Sequence, residues 1–162
     1  MYKDISFGKL VKKFLILSVA LIISKLLIRG IFSLGREDML SKYRNEKSLS
    51  LKTDSEVYEL LSNTTDSINV KCPYVIDSLT TLLNTTPFQG RTFQYNYQLN
   101  IDTSNYDMTI FKNNMRKLIL EKFINTSDSR EFKEMKVTIV YSYTNSKNEN
   151  LFNITFSPDK YE

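Results

Sequence analysis

Between Arg91 and Ile101 the chain alternates without a break. Phe93, Tyr95, Tyr97, Leu99 and Ile101 fall on one side, and Thr92, Gln94, Asn96, Gln98 and Asn100 on the other. A period of two is the signature of a strand with one buried and one wet face, so this segment demands sheet partners and a layer to cover it. The preceding SLTTLLNTT is read as its hairpin partner, with Pro87–Gly90 as the turn. Near the carboxyl end, KVTIVYSYT sets Val137, Ile139, Tyr141 and Tyr143 on one face. The polar run NSKNEN then turns the chain, LFNITFS aligns Phe152, Ile154 and Phe156, and Pro158 closes the strand.

Two helices separate these strands. TDSE at Thr53–Glu56 is a capping box, in which the threonine accepts from the Glu56 amide and the glutamate reaches back. Val57, Leu60, Leu61, Thr64 and Ile68 follow at helical spacing, and Pro73 ends the helix by Lys71. After Thr103–Asn105 a second stripe runs through Met108, Phe111, Met115, Leu118, Ile119 and the stem of Lys122, and SREFKEM adds a short further turn. The order helix–strand–strand–helix–strand–strand predicts an α+β layer fold with an antiparallel sheet, occupying residues 53–162.

Ahead of that domain lie a basic tail (1–13), an apolar run (14–34) and a charged stalk (35–52). The apolar run, at 1.5 Å per residue, spans about 31 Å, the depth of a hydrocarbon core. Lys25 and Arg29 interrupt it at i,i+4 on one helical face. Each costs about 2.5–3.5 kcal/mol at a bilayer centre, which the surrounding Leu, Ile, Val and Phe come close to offsetting. The expectation is a single-pass transmembrane helix acting as a signal anchor, with the bilayer as a partner and the domain extracytoplasmic. Lys25 and Arg29 are then candidate contacts with a partner helix. A cleaved signal releasing a secreted soluble binding module is the alternative, because Lys9, Lys12 and Lys13 make a basic lead-in.

Composition narrows the chemistry. Twenty-two basic residues against eighteen acidic ones give +4, without the clustered cations of a nucleic-acid binder. There is no histidine, the commonest acid–base group at neutral pH, and Cys72 is the only cysteine, so neither an internal disulfide nor a Cys-based metal site is available. The tyrosines share the apolar face of their strands and are read as core. Asp66, Asp77, Asp102 and Asp107 sit at element edges, where capping is their ordinary use. The N-x-[ST] motifs at Asn63, Asn84, Asn125 and Asn153 follow from composition. No catalytic, cofactor or metal residues are assigned, and the reading is not an enzyme, with a minor enzyme as the last alternative.

INVKCPYVIDSLTTL, followed by TFQYNYQLN and FNITFSPDKYE, resembles a group of small bacterial proteins found in Bacteroidetes. The shared residues are Ile68, Asn69, Pro73, Ile76, Asp77, Thr80 and Leu82, and the similarity runs from about Ile68 to the end. This resemblance implies a bacterial envelope setting and brings no activity with it. The functional expectation is a binding or accessory module that contacts an envelope protein.

Overall fold

The computed structural model describes residues 49, 52–103 and 106–161. The first helix, α1 (Asp54–Asn69), starts where the capping box placed it. The Glu56 amide donates to the Thr53 hydroxyl at 3.3 Å, and the Thr53 amide donates to the Glu56 carboxylate at 2.6 Å. A two-residue strand β1 (Tyr74–Val75) follows, then β2 (Thr80–Phe88) and β3 (Thr92–Leu99). Next come α2 (Met108–Asn125), a single 3₁₀ turn at Ser127–Ser129, α3 (Arg130–Glu134), β4 (Thr138–Thr144) and β5 (Asn150–Phe156).

The sheet order is β1-β2-β3-β4-β5, and β3 pairs with β4 in parallel while every other pairing is antiparallel. The expected antiparallel sheet is therefore corrected to a mixed one. The cause lies in the connection. α2 and α3 carry the chain from the end of β3 back to the end of the sheet where β3 began, and a crossover of that length delivers a parallel neighbour. β1 is a further departure, too short to leave a periodic trace in sequence.

The expected single-pass anchor is corrected as well. Its run 14–34, with Lys25 and Arg29, lies outside the described residues. No helix among the described residues is long and apolar enough to cross a membrane. α1 is an amphipathic cover for the sheet with acidic residues in its first turn, and α2 covers the sheet through Phe111, Met115 and Phe123 and carries Lys112, Arg116 and Lys117 along its length.

All three helices lie on one face of the sheet. Phe93, Tyr95, Tyr97 and Leu99 of β3 point into that side, with Ile139 and Tyr143 of β4 and Phe152, Ile154 and Phe156 of β5, and all are buried. α1 lies over β2 and buries Val57, Leu60, Leu61 and Ile68. α2 lies over β5, where the Phe111 and Phe152 rings meet at 6.0 Å, and Phe132 of α3 reaches Phe93 at 5.3 Å. Leu49 and Lys52 are buried with the domain. The opposite face carries Thr92, Gln94, Asn96 and Gln98 beside Thr138, Val140, Ser142 and Thr144, with no charge among them.

One side chain ties the layers at the β2–β3 turn. Arg91, at φ +56°, donates to the Asp54 carboxylate (2.6 Å), the Met135 carbonyl (2.9 Å) and the Lys52 carbonyl (2.7 Å). Its own carbonyl accepts from the Thr138 amide at 2.8 Å, which starts β4 in register.

Candidate functional site

The two long helices sit over β2 and β5, so the pair β3/β4 between them is filled by its own large side chains. Tyr95 faces Tyr141 and Tyr97 faces Tyr143 across the parallel seam, a register that places like residues side by side. The rings stack at 5.4 Å and 13°, and at 5.3 Å and 18°. Tyr97 and Tyr141 add a diagonal contact at 6.3 Å. Burial pushes the Tyr95 and Tyr97 phenols well above their ordinary value, with their tyrosine neighbours adding to the effect. Burial raises Tyr141 and Tyr143 too, and lifts the Cys72 thiol, which lies close enough to affect Tyr97. Such phenols stay neutral at physiological pH, so they can pack and donate hydrogen bonds but cannot serve as bases.

At the Leu99 end of this seam a shallow crevice opens between α2 and the sheet, lined by Asp77, Leu79, Leu99, Ile101, Phe111 and Met115 among others. Asp77 is the only charged group in it among the described residues, and its carboxylate already accepts from the Leu79 amide at 2.8 Å. The carboxylates singled out in sequence do not converge. Asp107 caps α2 by accepting from the Thr109 and Ile110 amides, Asp77 holds a turn, and no group of three potential metal ligands exists among the described residues. Lys25 and Arg29 lie outside the described residues.

The features missed in sequence are at the sheet edges. β1 covers β2 only at residues 81–82, and beyond it the Asn69 side chain from α1 takes over. Its amide donates to the Thr85 carbonyl (3.0 Å), and its carbonyl oxygen accepts from the Thr85 amide (2.7 Å) and hydroxyl (3.2 Å). On the opposite edge Arg116 of α2 donates to the Thr155 carbonyl at 3.2 Å, with its guanidinium 5.1 Å from the Phe156 ring. Ile68–Asn69 just before the helix stop was the available signal for the first clamp. Nothing local marked Arg116.

A mixed five-stranded sheet with helices on one face and an uncharged outer face defines the class. The chain belongs to the family described as "Domain of unknown function (DUF8479)", whose profile matches residues 55–152. No functionally curated protein matches it. Among solved structures it is similar to a Pseudomonas aeruginosa protein described as secreted, with TM-score 0.60 and 15% identity, covering 72% of this chain and 99% of that one. It is also similar to the type 2 secretion system pilotin of Vibrio vulnificus, with TM-score 0.56 and 10% identity, covering 67% and 94%. The type II pilotin of Vibrio cholerae gives TM-score 0.52 and 13% identity, covering 66% and 94%. At these identities the fold is what is shared.

Proposed function

We propose that this protein is a secreted accessory module of the bacterial envelope that binds a partner protein and transforms no substrate. The observation that carries the reading is the similarity to two pilotins over 94% of each of their chains, together with a secreted protein of the same fold. The chemistry of the site agrees with it. The seam phenols, held neutral by burial, are suited to rigid packing and unsuited to proton abstraction. Added protease tests the placement. Degradation of the domain in cells whose cytoplasmic membrane is intact is the expected result, and protection until the cytoplasm is opened would overturn it.

A further inference from the structure

The two edges of the sheet are closed unequally, and the weaker closure names a ligand. In β4, the Thr138 amide bonds the Arg91 carbonyl at the start of β3, so by alternation Ile139, Tyr141 and Tyr143 turn their backbone groups toward β5. Their partners Phe156, Ile154 and Phe152 turn inward, which leaves the amides and carbonyls of Asn153 and Thr155 facing outward. Both residues have exposed, uncharged side chains. Where Asn69 closes the other edge with three hydrogen bonds, this edge has one among the described residues, from a long arginine to the Thr155 carbonyl.

The flank of this edge is cationic. Lys112 precedes Arg116 by one helical turn on the same strip of α2. One turn advances about 6 Å and two strand residues about 6.6 Å, so Lys112 stands beside Asn153 as Arg116 stands beside Thr155. Neither cation has a carboxylate partner among the described residues.

We propose that the outer edge of β5, which pairs with no other strand among the described residues, accepts an extended acidic segment of a partner protein by strand addition, with carboxylates at alternate positions opposite Lys112 and Arg116. This rests on the binding-module reading and gives its partner a chemistry. The incoming backbone takes the outward groups of Asn153 and Thr155, and Arg116 moves from the Thr155 carbonyl to a carboxylate, so every polar group keeps a partner. A second copy is the poorer occupant. β5 carries no carboxylate between Asn150 and Phe156, and self-pairing would bring two sets of the same cations together. The register break between Tyr143 and Thr144, at the Leu151 end of β5, and Pro158 at the other limit the added strand to a few residues.

The test is a titration of isotope-labelled protein with a blocked heptapeptide in which valine alternates with glutamate, followed by amide NMR. Saturable shifts centred on Asn153 and Thr155, with slowed exchange of both amides, are expected. Lys112→Gln and Arg116→Gln together should weaken binding roughly tenfold. Lys112→Gln alone, which removes no bond the fold uses, should still weaken it measurably. Overturning results are no saturable shift, shifts centred on the tyrosine seam, equal binding of a lysine-for-glutamate peptide, or a peptide-independent dimer through β5. Each of these sinks the edge assignment while leaving the placement outside the cytoplasm to the protease experiment.

Discussion

Tyr95 and Tyr141 stand opposite each other on parallel strands with ring centroids 5.4 Å apart and planes 13° from parallel. With Tyr97 and Tyr143 they fill the gap between helices that rest on β2 and β5. The hydroxyl of Tyr161, by contrast, donates to the Val137 carbonyl at 2.6 Å. The four seam hydroxyls have no such bond from any described residue. Their contribution is therefore ring area. Tyr97→Phe should change stability by less than about 1 kcal/mol, and Tyr97→Ala should cost about 3–5 kcal/mol through the cavity it leaves. Urea unfolding of both variants distinguishes the two.

The same burial predicts how the fold fails in alkali. Folded-state phenol values raised above the unfolded value of 10.0 mean that the unfolded chain loses protons first as pH rises. Stability from these groups is complete below pH 10 and is lost above it. The phenolate absorbance of the seam, taken as the difference between the protein and a variant with Tyr95, Tyr97, Tyr141 and Tyr143 changed to Phe, should thus appear in one cooperative step together with loss of circular dichroism. Gradual growth of that difference signal in a protein that stays folded would show the seam to be open to water.

Arg91 combines three side-chain donations with a left-handed backbone. Arg91→Ala removes the donations and keeps the backbone strain, while Arg91→Gly removes both. Arg91→Ala should cost about 2–4 kcal/mol, and the glycine variant should recover about 1 kcal/mol of that. Thermal melts of the pair measure the difference.

Thr65 is buried in α1 with its hydroxyl unbonded. Thr65→Val keeps the shape and removes the unpaired polar atom, so it should stabilise by about 1 kcal/mol. Asn69→Ala should do the reverse by about 1–3 kcal/mol, because it uncovers both backbone groups of Thr85. Denaturant midpoints of the two variants should move in opposite directions.

Individual elements were legible where their signals are local, while the mixed sheet they assemble into was not. The alternation through Phe93, Tyr95 and Tyr97 placed β3 and its buried face, and the Thr53–Glu56 box placed the start of α1. Where the structure departs, a distant contact decided. Leu118, assigned to the buried stripe of α2, is 42% exposed, while Phe123 is buried because its ring meets Tyr161 at 5.1 Å, a contact across the whole β4–β5 hairpin. Thr64 spends its hydroxyl on the Leu60 carbonyl, and Thr65 is the buried one. The parallel β3/β4 pairing depends on where a crossover returns, and residue periodicity is silent about that. Asn69, Asp77 and Leu82 prove to be an edge clamp, a turn and a core residue. Lys25 and Arg29 lie where no described residue can test them.

Photo-cross-linking in living cells, from a probe at Asn153 on the outer edge of β5 and from a control at Val70, an exposed residue at the end of α1, tests the strand-addition assignment most directly. A single envelope protein joined from Asn153, and lost when Lys112 and Arg116 are both neutralised, is the expected result. No adduct from Asn153, or the same adducts in equal yield from Val70, would contradict it.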